Sequence, residues 1–335
     1  MKKASIVIGD SFFSKNRLFN LEDPVANRDN CLYSFALLKK KFAENGYDLA
    51  TSDIHAPEDS KIVLYNEMPK ILPDSSQKSK SFLLLFESDL IRPDNWSEKK
   101  HKAFKQVFTW HDDLVNRANY TKINFSHLIP GEISLDLSQK DKLCTLIAGN
   151  KKVAHPLELY SKRIEAIRWF EENHPEEFDL YGVGWDRYRF AGPKLIRALN
   201  RIEFLTKWLL KPFPSYKGRV DSKFDTLKKY RFAICYENAR DIPGYITEKI
   251  FDCFFSGCLP VYWGANNITD YVPKECFIDK HDFSSYEDLY IYMKSMSNED
   301  YLRRLISIQD FLKSPQAKQF SSGSFVETIL SCVLH

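Results

Sequence analysis

The sequence predicts an α/β protein built as two domains, each around a mostly parallel sheet. Three observations predict it. The chain has 335 residues, too many for one ordinary domain and about right for two at roughly 150 residues each. Short apolar runs alternate with longer segments of helical period. Hydrophobic residues make up 44% and aromatics 14%, with 25 Phe and 17 Tyr, so large cores can form.

The elements follow in order. Ser5–Ile8 reads as a first strand. Cys31–Asn45 has helical period, and Gly46 suits the position just past a helix end. Tyr47–Thr51, Lys61–Tyr65, Phe82–Phe86 and Gln106–Trp110 read as short buried strands. No G-x-G-x-x-G turn follows any of them, which excludes a dinucleotide fingerprint. A second unit begins near Lys142, with strand Leu143–Ile147, amphipathic helix Leu157–Asn173 and strand Phe178–Tyr181. Tyr230–Tyr236, Thr247–Phe255 and Leu259–Trp263 have the lengths of one βαβ crossover. Ser285–Ser295 and Asn298–Lys313 are further helices, and Val326–His335 is a last helix or strand. The expected division is 1–141, 142–313 with a basic insertion at about 187–219, and a tail 314–335.

Charge and cysteine content exclude several classes. The 48 Lys+Arg against 45 Asp+Glu leave +3, far from the imbalance of a dedicated nucleic-acid binder. No apolar run approaches the roughly 20 residues of a membrane span. The N-terminus begins like a secretion signal, but Asp10 interrupts its short apolar stretch. Seven scattered cysteines, several inside apolar runs, point to free thiols and a reducing cytoplasm. Cys253 and Cys258 lack a matching Cys/His pair, so no metal site is expected.

Ligands of open α/β sheets gather at the carboxyl ends of strands. The densest chemistry lies at such an end, in Tyr236-Glu237-Asn238-Ala239-Arg240-Asp241-Ile242-Pro243-Gly244-Tyr245-Ile246-Thr247-Glu248-Lys249-Ile250. A buried strand empties into a polar loop, Pro243-Gly244 turns it, and Thr247 can cap the next helix. A helix start with Lys249 beside it suits phosphate, and Glu248 can accept hydrogen bonds from sugar hydroxyls. On residue types alone, a capped, solvated helix start is the plainer reading of Thr247-Glu248-Lys249.

The segment 230–279 resembles the signature region of the α-1,3/1,4-fucosyltransferases, glycosyltransferase family 10, in its bacterial form. The residues that carry the resemblance are Tyr230-Arg231-Phe232, Glu237-Asn238, Gly244-Tyr245-Ile246-Thr247-Glu248-Lys249-Ile250, Pro260-Val261-Tyr262-Trp263-Gly264 and Tyr271-Val272-Pro273. Weaker likeness reaches Tyr181-Gly182-Val183-Gly184-Trp185, Tyr216-Lys217-Gly218, Phe86-Glu87-Ser88 and Phe108-Thr109-Trp110.

The resemblance implies a GT-B fold: two Rossmann-like domains facing across a cleft, with GDP-fucose on the second and the acceptor on the first. It implies inversion, no required cofactor and no essential metal. It places the general base on Glu87, with Glu248 as runner-up, and a phosphate contact on Arg163. Asn238, Tyr245, Glu248 and Lys249 match positions lining the donor. The residues agree for Glu87, which ends a buried strand where partial burial favours a base. A rim residue at Glu87 and an exposed helix charge at Arg163 are the plainer readings. No pair of glutamates eight positions apart occurs around Glu248, as retaining GT-B enzymes often have, and Asp112-Asp113 has the wrong spacing for an Asp-x-Asp metal motif.

Arg187 to Arg219 holds nine Lys/Arg and one acid, a net of +8 that leaves the rest of the chain at −5. Within it, Lys194–Lys211 has Leu195, Leu199, Ile202, Leu205 and Leu209 at three- and four-residue steps. This predicts a basic amphipathic helix able to dock on an anionic membrane surface; a helix packed on the donor sheet is the alternative. The combined expectation is a cytoplasmic fucosyltransferase, peripheral on the inner membrane face. It would act on an N-acetylglucosamine-containing glycan in bacterial surface-polysaccharide or lipopolysaccharide assembly. A transferase using another nucleotide sugar and a non-catalytic glycan-binding relative are the alternatives.

Overall fold

A computed structural model describes residues 1–190 and 192–334. Ala191, inside the expected insertion, and His335, at the end of the expected tail, lie outside the described residues. The chain forms two compact units. The first takes Met1–Ile129, Pro243–Glu248 and the segment from Pro315 onward; the second takes Pro130–Ile242 and Lys249–Ser314.

The first unit holds β1 (Lys2–Ile8), α1 (Tyr33–Glu44), β2 (Tyr47–Thr51), β3 (Ile62–Asn66), β4 (Ser81–Leu85), α2 (Glu98–His101), β5 (Gln106–Thr109), α3 (Asp112–Val115) and β6 (Tyr120–Lys122). The six strands form one parallel sheet in the order β2-β1-β3-β4-β5-β6. All five residues of β4 are buried, as an interior strand covered on both faces requires. Side chains alternate between two cores. Leu64, Phe82, Leu84 and Phe108 join α1 residues Leu38 and Phe42 on one face. Val63, Tyr65, Leu83, Leu85 and Val107 join Phe104 on the other.

The second unit holds β7 (Lys142–Ile147), α4 (Tyr160–Asn173), β8 (Phe178–Tyr181), α5 (Lys194–Ala198), α6 (Glu203–Trp208), α7 (Lys223–Leu227), β9 (Tyr230–Tyr236), α8 (Glu248–Phe255), β10 (Leu259–Trp263), β11 (Ile278–Asp279), α9 (Tyr286–Ser295) and α10 (Asn298–Lys313). Its sheet is also parallel, in the order β11-β10-β9-β7-β8. Ser285 and Ser297 cap α9 and α10 by accepting the N–H groups of Asp288 and Asp300. The chain then returns to the first unit with α11 (Pro315–Lys318) and α12 (Ser322–Val333).

Three features differ from the sequence expectation. The unit boundary falls at 129/130 rather than 141/142. The segment 314–335, expected as a tail, carries α12, whose Phe325, Val326 and Ile329 enter the first core beside α1. Ser34 on α1 fixes that docking through its hydroxyl contacts with Ser322 (2.9 Å) and Ser126 (2.7 Å). Lys194–Lys211 is not one helix but α5, a 3-10 turn at Leu199–Arg201, and α6. The Asn200 side chain brackets the Phe190 backbone, accepting its N–H at 2.8 Å and donating to its carbonyl at 2.9 Å. Ile202 then leaves the helical region at φ −90°, ψ 92°. Among the described residues no helix is long and apolar enough to cross a membrane.

Gly182, just past β8, has φ +133°, and a Cβ there would overlap the Ala148 carbonyl beyond β7. Gly46 shares a positive φ of +81° but has open space around it. Gly46→Ala is expected to cost about 1 kcal/mol and Gly182→Ala more than about 2 kcal/mol, because backbone must move. Denaturant midpoints of the two variants check this.

Candidate active site

In the second unit the site is assembled where β9 ends. Glu237 has no solvent exposure, and its N–H donates to the Trp263 carbonyl of β10 at 2.8 Å. Its Oε2 lies 3.0 Å from Nζ of Lys249, on the first turn of α8. Arg163 on α4 is 4% exposed. Its Nη2 donates to the carbonyls of Tyr236 (2.6 Å) and Glu237 (2.8 Å) and to Asn238 Oδ1 (3.1 Å). The Asn238 carbonyl accepts the Leu159 N–H at 3.1 Å, just before α4, and Arg240 N–H returns to Leu157 O at 2.8 Å. The loop after β9 is therefore stitched to the start of α4 by backbone and guanidinium together. Gly264 closes the other side, since a Cβ there would meet Tyr262 Oη and Glu237 Cγ.

In the first unit Glu87 follows β4 and is half-buried. Its carbonyl accepts from Asn95 Nδ2 (3.2 Å) and Trp96 Nε1 (3.1 Å), and its N–H donates to Glu67 Oε1 (2.9 Å). Trp110, at the end of β5, donates from Nε1 to the Phe86 carbonyl at 2.7 Å. The same indole packs against the Tyr245 ring at 4.6 Å, which also meets Phe125 at 6.2 Å. Gly244, at φ +80°, lets this segment close onto the Trp110 carbonyl, Lys122 and Asp112. Lys122 Nζ bonds the Trp110 carbonyl at 2.6 Å and Asp112 Oδ1 at 2.5 Å, while burial pushes the ammonium pKa down.

Arg163, Asn238 and Lys249 thus come together in the second unit, with Glu237 among them. Phe86, next to Glu87, and Tyr245 share Trp110 in the first, which also takes Glu248. Arg163 is not an exposed helix charge: its guanidinium holds the loop that carries Asn238. The Glu87 backbone is tied down on both sides, while its side chain is half-buried. Two carboxylates escape sequence reasoning. Glu237 is visible as a strand end but not as a buried partner of Lys249. Glu67 stands two positions past the apolar run Ile62–Tyr65, much as Glu87 stands one past Phe82–Phe86, and that near-parallel is the signal that could have found it. Among the described residues no three His, Cys, Asp or Glu side chains are grouped as a metal site.

Residues 209–315 match the family described as glycosyltransferase family 10 (fucosyltransferase), C-terminal region. The chain is 40% identical over 140 residues to an α-(1,3)-fucosyltransferase of Helicobacter pylori, a match covering 37% of this chain and 28% of that protein. It is 36% identical over 73 residues to an α-(1,4)-fucosyltransferase of Arabidopsis thaliana, covering 22% of this chain and 18% of the relative. The matches thus span less than a third of these curated relatives. A crystal structure of an α1,3-fucosyltransferase with GDP superposes with a TM-score of 0.56 at 14% identity, covering 100% of this chain and 90% of that one. An α-glucosyltransferase in complex with UDP-glucose and DNA gives 0.56 at 11% identity, with both chains covered fully. These likenesses establish the fold, which is GT-B.

The Glu237–Lys249 pair yields a prediction. Removing one partner of a buried pair costs about 3–5 kcal/mol, and removing both costs less. Lys249→Met should lower the unfolding free energy by about 3 kcal/mol, and adding Glu237→Gln should recover at least about half of that loss. A double-mutant cycle by urea denaturation measures it.

Proposed function

The chain carries the C-terminal region of glycosyltransferase family 10 over residues 209–315, and on that premise we propose that it is an inverting α-1,3-fucosyltransferase using GDP-fucose. The acceptor is a hydroxyl of an N-acetylglucosamine-containing glycan, in bacterial surface-polysaccharide or lipopolysaccharide assembly. The observation that carries this reading is the loop after β9. There a buried guanidinium, an amide and a helix-borne ammonium converge at the carboxyl end of a parallel strand.

The chemistry asks three things of the residues. Glu87 takes the proton of the acceptor hydroxyl as that oxygen attacks C1 of fucose. The bond from C1 to the β-phosphate oxygen breaks, and GDP leaves with the electron pair. Attack from the face opposite the leaving group inverts C1. Negative charge grows on the diphosphate, so cationic groups there stabilise the transition state more than the ground state. Lys249 and Arg163 supply that charge, while Asn238, Tyr245 and Glu248 hold the donor. The ionic contact with Glu237 keeps the Lys249 ammonium in place before substrate arrives.

The basic segment supports peripheral docking on the inner face of the cytoplasmic membrane. Although it is broken into α5 and α6, it leaves Leu195 (86%), Phe204 (76%) and Trp208 (79%) exposed beside Lys194, Arg197 and Arg201. Apolar side chains that insert and cations that meet anionic headgroups, at about 1 kcal/mol each, suit such a surface.

Three measurements test these readings. In a panel of nucleotide sugars, product mass spectrometry should find fucose transferred from GDP-fucose; transfer from a different donor alone would overturn the assignment. Glu87→Gln should lower kcat by at least about 100-fold while GDP affinity stays within about twofold. Sedimentation with phosphatidylglycerol vesicles should capture the protein, and Lys194→Glu/Arg197→Glu/Arg201→Glu should release it. Equal binding to phosphatidylcholine vesicles, or none to either, would remove the membrane reading.

A further inference from the structure

In the first sheet β1 lies between β2 and β3, so the chain reverses direction across the sheet there. Crevices outside the carboxyl ends of strands at such a reversal are where open α/β sheets bind and react. Glu67 is the first residue past β3 at this point. It has φ +74°, a left-handed conformation that is unfavourable for a side chain other than glycine. Strain of that kind persists only where surrounding bonds impose it. Here they do. The Glu67 N–H donates to the Leu84 carbonyl of β4 at 2.9 Å. Its Oε1 accepts two successive backbone N–H groups, Phe86 at 3.2 Å and Glu87 at 2.9 Å. Its other oxygen accepts from Asn95 Nδ2.

Asn95 has no solvent exposure, and its orientation is set from both ends. Its Oδ1 accepts the Met68 N–H at 2.9 Å, and its Nδ2 also reaches the Glu87 carbonyl at 3.2 Å. The residue after Glu67 and the residue after Phe86 are therefore joined through one amide. With Trp96 and Trp110 on the Glu87 and Phe86 carbonyls, the N–H and carbonyl groups of both residues are bonded, and the one oxygen Oε1 of Glu67 accepts both N–H groups.

We propose that Glu67 is a positioning residue for Glu87: its carboxylate fixes the Phe86–Glu87 backbone and provides the negative field in which Glu87 accepts the acceptor's proton. The inference rests on Glu87 as the base. Besides burial, the Glu87 charge raises the Glu67 carboxyl, and repulsion between two anions is mutual, so charge on Glu67 favours proton uptake by Glu87. Burial pushes the Glu67 carboxyl up to about 7, against the pull of the Glu87 and Phe86 N–H groups and Asn95; the Glu87 charge adds to the push. Of the other ionisable groups around this turn, His111 stacks on Trp110 and has its pKa lowered by burial, with Asp89 among the charges acting on it. Arg92 donates to the Met68 carbonyl and pairs with Asp94 at 2.9 Å. His101, on the Asn95 carbonyl, has its pKa lowered by burial. The sign follows. As pH falls through about 7, Glu67 takes up a proton, the field is lost, and transfer declines.

The test is kcat and donor KM from pH 5.5 to 9 for the full chain with GDP-fucose and an N-acetyllactosamine acceptor. The wild-type kcat should bend near pH 7. Glu67→Gln should lower kcat at pH 8 by about tenfold, leave donor KM within about twofold, and lose that bend. Glu67→Asp, which keeps the charge on a shorter arm, should recover part of the rate with the bend displaced. A Glu67→Gln enzyme with the wild-type pH profile, or a rate loss matching its unfolded fraction by circular dichroism, would overturn the inference and leave the base assignment standing. If Glu67→Gln does not fold, an unmoved bend in Glu67→Asp overturns it equally. Transfer persisting in Glu87→Gln would instead remove the base assignment, and this inference with it.

Discussion

A carboxylate entirely out of water has to be answered by charge or hydrogen bonds, and Glu237 imposes that condition on everything around it. Lys249 answers it across 3.0 Å, which fixes the rotation of the first turn of α8 relative to the end of β9. Gly264 leaves room for the Glu237 side chain, so β10 can end beside it. Arg163 then closes the far side through the carbonyls of Tyr236 and Glu237. A strand, two helices and the next strand are thereby located by one buried charge. The loop after β9 inherits its rigidity from that arrangement rather than from its own exposed residues.

The first unit solves a related problem with backbone. The turn after β4 presents N–H and carbonyl groups where no further strand pairs with them, and buried groups of this kind need partners. Side chains from three other places, Glu67, Asn95 with Trp96, and Trp110, take them up. A loop held in this way keeps its side chain aimed without help from a ligand. Preorganisation of that kind is what a proton acceptor needs.

Strands were legible where apolar residues recur, whether nearly every residue is buried, as in β9, or every other one, as in β8. β2, β8, β9 and β10 lie where their apolar runs predict. β1 starts three residues earlier than expected, at Lys2, because a ladder needs only backbone groups and exposed lysines pair as well as valines. β6 was missed for the same reason: its three residues are only half-buried at a sheet edge. The place of Glu87 just past β4 was legible because the apolar run before it ends there. Burial of Arg163 was not, since its acceptors lie 73 to 75 positions away and no local pattern encodes them. The apolar stripe of α12 announced an element but not its destination. The break at Asn200 depends on a bond to Phe190 that spacing alone does not reveal.

The path of the chain between the units has a consequence for how such a protein can change. It passes from one unit to the other four times, at 129/130, 242/243, 248/249 and 314/315. A single crossover in the gene therefore cannot exchange one half cleanly for another. A graft that ends at 314 leaves α1 without the Phe325, Val326 and Ile329 that cover it. One that brings in residues 130–314 from elsewhere replaces Pro243–Glu248, a piece of the first unit, along with them. Change in the first unit is therefore easier by substitution within an intact chain than by exchange of a contiguous segment, because the six residues from 243 to 248 are reached only through the second unit's stretch of sequence.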